Sequence, residues 1–203
     1  MIKRLKQKTM NKLLRKFTLI VLFTSTFTST FAQLKFEKES RLKQADVPPL
    51  ALELINSMAI PGKIKWYSEQ SLTGNSIEAK FRLNKKHYSI EFDTEGNLQD
   101  VEITIQINEI PGEVKEIIFK NLESEFNKYS IQKIQVHYPG NNPEILSIIK
   151  NPPKETANTV KYELIVNGKT GNSTKQYEMV FDNNGILKEK KEITQKNADN
   201  LEF

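Results

Sequence analysis

The stretch His87-Tyr-Ser-Ile-Glu-Phe-Asp-Thr-Glu-Gly-Asn-Leu98 returns 89 residues later as Gln176-Tyr-Glu-Met-Val-Phe-Asp-Asn-Asn-Gly-Ile-Leu187. Tyr88, Phe92, Asp93, Gly96 and Leu98 come back as Tyr177, Phe181, Asp182, Gly185 and Leu187. Each copy reads as a strand, a tight turn and the start of another strand. The repeated positions are scaffold positions, and none of them supplies a reacting group.

The echo extends outward. Asp46-Val47-Pro48 opens one amphipathic stretch, in which Ala51, Leu54, Ile55 and Met58 fall at helical spacing. Asp46 is its expected N-cap, and Pro61-Gly62 its stop. Asn108-Glu-Ile110-Pro111 opens a second such stretch, with Val114, Ile117, Ile118 and Leu122 on one stripe to about Asn127. Strands are expected over Lys63–Glu69, Ile77–Leu83, Tyr88–Phe92 and Val101–Ile107, with apolar residues alternating with Glu78, Lys80, Arg82, Glu91, Glu102 and Thr104. In the second half Ile131–Tyr138 is the next strand, and Thr159–Asn167 matches Ser76–Asn84 at an offset of 83. The hairpin Gly168–Thr174 is longer than its counterpart, which is where duplicated units should differ. Pro139–Asn158 has no match and is expected to be an extended loop with a short edge strand at Ile145–Ile149. The fold class that follows is α+β: two tandem repeats, each a helix packed on an antiparallel β-meander of about four strands. The boundaries expected are a flexible arm or short edge strand at 33–45, repeat 1 at 46–107, repeat 2 at 108–194 and a polar tail at 195–203.

The charge has a local origin. Of 30 basic side chains, Lys3, Arg4, Lys6, Lys8, Lys12, Arg15 and Lys16 lie in residues 1–32, which hold no acid; without them 23 basic face 25 acidic groups. The net charge of +5 therefore does not describe a nucleic-acid-binding face. Residues 1–32 follow a secretory-signal plan: basic residues, the apolar run Phe17–Phe23, then a Ser/Thr-rich stretch ending at Ala32. Phe17–Ala32 is shorter than the ~20 apolar residues a span needs, so no membrane span is expected once the signal is removed. Met10 begins a more usual leader, Met10-Asn-Lys-Leu-Leu-Arg-Lys16, and export is expected whether translation starts at Met1 or at Met10. The absence of cysteine excludes disulfides, thiolate metal sites, a cysteine nucleophile and a lipid-anchoring cysteine. The expected address is the periplasm or the outside of the cell.

The Asp46-Val47-Pro48 opening, the Pro61-Gly-Lys-Ile-Lys-Trp66 passage and the twice-used Tyr-x-x-x-Phe-Asp-x-x-Gly-x-Leu pattern resemble the PepSY-like domains of exported Bacteroidetes proteins, also described as β-lactamase-inhibitor-protein-like. The resemblance runs from about Lys38 to Ile193. It implies a tandem helix-plus-sheet fold, export, no established enzyme activity, and a concave sheet whose hairpin loops grip a partner enzyme. It transfers no inhibitory residue, because the matched positions are core and turn positions.

No catalytic residue, metal ligand or cofactor is expected. There is no Gly-rich phosphate loop and no nucleophile elbow. His87 and His137 each stand at a polar strand position and read as solvated side chains. Asp93-x-x-Gly96 and Asp182-x-x-Gly185 read as turns rather than calcium loops, since cation loops place oxygen ligands at alternate positions before the glycine. Glu78, Glu91 and Glu102, interleaved with Lys80, Arg82 and Thr104, read as a salt-bridged wet face. Tyr67 must point away from Trp66 and is expected at the surface. With Lys169 and Asn172 of the long hairpin, and Asn141 and Asn142 of the proline-bounded loop, it makes up the candidate partner-binding surface. The function expected is an exported, non-catalytic module binding a protein partner, an exported enzyme that it inhibits or chaperones. The alternative is a small-ligand or glycan carrier using a groove between the repeats.

Overall fold

The computed structural model describes residues 33–35, 37–71, 74–151 and 161–193, all within one unit. The expected secretory signal at 1–32, the expected polar tail at 195–203 and the end of the proline-rich loop lie outside the described residues. Among the described residues no helix is long and apolar enough to cross a membrane.

The described residues form ten strands and three α-helices. Strands β1 (Gln33–Lys35) and β2 (Glu37–Leu42) come first, then helix α1 (Pro49–Ser57) and strands β3 (Lys65–Ser71), β4 (Gly74–Leu83), β5 (Lys86–Phe92) and β6 (Leu98–Thr104). The second half has helix α2 (Gly112–Glu125), β7 (Lys128–Pro139), helix α3 (Ile145–Lys150), β8 (Lys161–Thr170), β9 (Ser173–Phe181) and β10 (Leu187–Ile193). A 3-10 turn precedes each long helix, at Gln44–Asp46 and at Ile107–Glu109. All ten strands belong to one sheet, ordered β1-β10-β9-β8-β7-β6-β5-β4-β3-β2. Because β6 pairs with β7, the two halves share a single sheet with no groove between two sheets.

The ends of that order meet. Only Phe36 separates β1, on β10, from β2, on β3. Two residues span at most about 7 Å, so β10 and β3 lie within about 17 Å at this point, whereas a flat sheet in this strand order would hold those two strands roughly 34 Å apart. The sheet is therefore rolled into a ring, with β1 and β2 together acting as one stave. A ring of nine staves that otherwise alternate in direction must contain one parallel neighbour pair, and β1–β10 is that pair. The segment 33–45, expected as a flexible arm or a short edge strand, thus contributes β1 and β2 as the closing stave; its sequence shows no period because pairing with both sheet edges, rather than amphipathicity, fixes these strands.

One face of the sheet and the helices make the core. Ala51, Ile55, Ile118 and Leu122 pack with Trp66, Phe81, Tyr88, Phe92, Tyr162 and Phe181, all buried. Phe81 and Tyr88 stack with ring centroids 5.2 Å apart. Helices are 10–12 Å thick, about the internal width of so small a ring, so they pack outside it and the apolar face turns outward beneath them. The polar face turns inward. Its burial agrees: Lys80, Ser89, Gln135 and Glu178 are buried although the helices lie on the other side.

Local differences from the sequence reading have physical causes. Asp46 closes the 3-10 turn through its amide on the Lys43 carbonyl, and Pro48, not Asp46, occupies the N-cap of α1. Ile117, expected on the buried stripe of α2, is 38% exposed. Ile145–Ile149, expected as an edge strand, is helix α3; Ile145, Ile148 and Ile149 sit at i, i+3, i+4 and are buried together, a spacing that outweighed the surrounding prolines. The extra residues of the 168–174 hairpin continue β8 and β9, leaving a two-residue turn at Gly171-Asn172. The repeated Asp-x-x-Gly segments are turns. Asp93 Oδ1 accepts from the amides of Glu95 (3.0 Å) and Asn97 (2.8 Å), as Asp182 Oδ1 does from Asn184 (2.9 Å) and Ile186 (3.0 Å). Gly96 and Gly185 take positive φ, 93° and 78°, and each lies against the start of the helix of its own half.

Candidate functional site: the polar inner face

Cross-strand register lays the polar side chains out in rows. One row runs Arg41, Tyr67, Glu78, Glu91, Asp100, Pro139, and the next Lys65, Lys80, Ser89, Glu102, His137, Lys161. Alternation along each strand puts both rows on the side opposite the core.

Two clusters stand out. In the first, the Lys80 ammonium lies 2.6 Å from Glu39 Oε1 and 2.9 Å from Glu78 Oε2, and the Ser89 hydroxyl donates to Glu78 Oε1. Burial alone would lower the Lys80 ammonium; Glu78 and Glu39 outweigh it and hold it well above its ordinary range. The Glu39 side chain is 2% exposed, and burial together with the neighbouring Glu78 raises its carboxyl despite Lys80. Glu69 completes a group of three carboxylates whose oxygens lie within 4.8 Å of one another.

In the second cluster, His137 Nε2 is 3.1 Å from Asp100 Oδ2, and Gln135 Nε2 donates to Glu102 Oε2 at 2.5 Å. Burial and Asp100 push Glu91 up to about 7, against a hydrogen bond from Ser76. Burial and Asp100 likewise push Glu102 up to about 7, with Lys133 and His137 opposing. For His137 burial favours the neutral ring, but the Asp100 hydrogen bond and the surrounding carboxylates override it and raise the imidazole to about 9. The reading of His137 as a solvated strand position is therefore corrected: it is a charged partner within a carboxylate cluster. One donor atom each from Asp100, Glu102 and His137 lies within 4.8 Å of the other two, a set able to hold a metal ion. His87 is different, lowered by burial and by the nearby Arg82 and Lys133.

The five candidate surface residues do not converge. Tyr67 is on the inner face and only 5% exposed, with its hydroxyl accepting from Arg41 Nη1 at 3.1 Å and its ring 5.1 Å from the Lys80 ammonium. The expectation that it is exposed is corrected: a phase opposite Trp66 faces into the ring. Lys169 and Asn172 are exposed at the tip of the β8–β9 hairpin, beside the Lys128 end of β7. Asn141 is exposed and Asn142 half-buried beyond the Pro139 end of β7. Eleven residue steps of extended chain, about 36 Å, separate these ends. Sequence reasoning missed Glu39 and Asp100 as members of the clusters. Asp100 was visible as the i−2 neighbour of Glu102, whereas Glu39 is brought in by the pairing of β2 with β3.

No family model and no curated protein matches this chain. Among solved structures, the fold is similar to that of a protein from Bacteroides eggerthii described as periplasmic, at 16% identity over 77% of this chain and 99% of that one, TM-score 0.53. It is similar also to a DUF2874 family protein from Bacteroides ovatus, at 12% identity over 78% and 99%, TM-score 0.52. A BLIP-like protein from Bacteroides fragilis matches at 20% identity over 74% and 89%, TM-score 0.48. The first two likenesses define the class as an α+β protein with helices packed on one face of a large antiparallel sheet.

Proposed function

We propose that this chain is an exported, non-catalytic binding module that holds a protein partner, an exported enzyme that it inhibits or chaperones, at the exposed β8–β9 hairpin. The observation that carries the proposal is where the two halves agree and where they diverge. Agreement falls on core residues and the Asp-x-x-Gly turns, while the hairpin tip, with Lys169 and Asn172 exposed, has no counterpart of equal length in the first half. The finer reading is two tandem PepSY-like, β-lactamase-inhibitor-like repeats at 46–107 and 108–194. It is supported by the recurring order of 3-10 turn, helix and four strands, interrupted only by α3. The periplasmic description of a protein with a similar fold supports export, as does the leader.

The test is photo-crosslinking in the exporting cell from position 172 and, separately, from position 141. A discrete one-to-one adduct from 172 alone is expected. Adducts from neither position, or from 141 alone, contradict this assignment. A second reading, a small-ligand carrier, is favoured by the polar side chains that line the ring, although not by a groove between the halves. Thermal shifts with a metabolite panel, abolished by inner-face substitutions and retained by hairpin ones, would decide for it.

A further inference from the structure

The second inner-face cluster has a donor set that neither the turns nor the core requires. Asp100 and Glu102 stand at i and i+2 on β6, and His137 lies directly across from Glu102 on β7, so all three side chains leave the sheet on one side within two rows. We propose that Asp100, Glu102 and His137 bind one divalent transition-metal ion on the inner face of the ring. The site is independent of the partner-binding reading, since the hairpin tip stands at the Lys128 end of β7 and His137 near its Pro139 end.

Ligand geometry comes first. Two donors on one tetrahedral zinc ion, each about 2.0–2.2 Å from the metal, are themselves about 3.3–3.5 Å apart. His137 Nε2 and Asp100 Oδ2 are already 3.1 Å apart, and the Glu102 donor lies within 4.8 Å of both. Closing the set takes a side-chain movement of about 1 Å, with no change of strand register. An imidazole with two carboxylates suits zinc, manganese, iron or cobalt rather than calcium, whose sites are built from oxygen.

Charge points the same way. Glu91 hydrogen-bonds with Asp100, so three carboxylates gather around one imidazole in a face of low exposure. A dication offsets the charge of the two carboxylate ligands when the imidazole binds as the neutral ring, and Glu91 can keep its proton. Supporting groups are in place: Gln135 Nε2 holds Glu102 Oε2 at 2.5 Å and fixes that carboxylate's orientation. Thr104, two residues along β6 on the same face, has a buried hydroxyl with no hydrogen-bond partner. The neighbouring Glu39–Glu69–Glu78 group does not make an equal case, because the Lys80 ammonium already stands between Glu39 and Glu78.

The test uses the full chain without a histidine tag, stripped with chelator and titrated with zinc(II) by calorimetry and with cobalt(II) by visible absorption. One equivalent per chain is expected, with cobalt d–d bands of a site containing nitrogen. His137→Gln and Glu102→Gln should each weaken binding at least 100-fold, Gln135→Ala about 10-fold by way of Glu102, and Glu69→Gln not at all. Melting of each stripped variant checks its fold, and Asp100→Asn replaces either ligand variant that fails to fold. Absence of a stoichiometric heat overturns the proposal, since it would show that protons alone balance the cluster. Binding that survives His137→Gln but is lost in Glu69→Gln overturns it as well.

Discussion

Strands β5 and β9 carry the same side chains toward the helices and different ones toward the inside of the ring. On the outward side Tyr88, Ile90 and Phe92 correspond to Tyr177, Met179 and Phe181, all buried. On the inward side His87, Ser89 and Glu91 correspond to Gln176, Glu178 and Val180. β4 and β8 behave alike: Ala79 and Phe81 answer to Tyr162 and Leu164 in the core, while Glu78, Lys80 and Arg82 are replaced by Lys161, Glu163 and Ile165. Packing under the helices constrains one side of each strand to apolar side chains. The inner side is free of that constraint, and there the first half concentrates its carboxylates and its buried lysine.

The comparison predicts that equivalent outward positions are energetically equivalent. Phe92→Ala and Phe181→Ala each remove a fully buried ring and should each cost about 3–5 kcal/mol, in a single unfolding transition followed by denaturant titration. A split into two transitions, one per half, would show that the shared sheet does not couple them.

Smaller effects are expected at the two turn glycines. A Cβ at position 96 would stand 2.9 Å from Pro48 Cβ and from the Ala51 nitrogen, and one at position 185 would stand 2.7 Å from the Val114 carbonyl oxygen. Both residues also require positive φ. Gly96→Ala and Gly185→Ala should each lose about 1–3 kcal/mol, measured the same way. A loss at only one of them would break the equivalence of the halves.

The inward side should show its character in pH dependence with chelator present. Glu91 and Glu102 rise to about 7 and His137 to about 9 in the folded chain, all above their unfolded values. The folded state therefore holds more protons than the unfolded one, and this stability is complete below about pH 4.5 for the glutamates and below about pH 6.5 for His137. For the glutamates it declines as pH rises through about 7, and for His137 as pH rises through about 9. The melting temperature should fall by several degrees between pH 5 and pH 9, and His137→Gln should flatten the upper part of that fall. Asp93 and Asp182, which are lowered by hydrogen bonds with their own turns and by Lys188 at Asp182, act in the opposite sense; their contribution is present above about pH 4 and lost in acid.

Much of this architecture was legible in the residues. Alternation located the central strands, and the i, i+3, i+4 stripes located α1 and α2. The Asp93 and Asp182 turns followed from glycine and aspartate chemistry. What was not legible depended on curvature. Alternation places Tyr67 and His137 opposite the core, yet only the roll of the sheet decides whether that side meets water or other strands. For the same reason Glu39, far from Lys80 in sequence, could not be paired with it before the closing stave was known. Helix α3 was legible in the i, i+3, i+4 spacing of Ile145, Ile148 and Ile149, a signal that the surrounding prolines obscure.

Native-state hydrogen exchange on the unaltered chain tests the single rolled sheet most directly. The amides of Tyr88, Ile90 and Phe92 in β5 and of Tyr177, Met179 and Phe181 in β9 should open with the same free energy, equal to that of global unfolding. Exchange from one set at a free energy several kcal/mol below the other would contradict it, showing two independently folding halves in place of one ring.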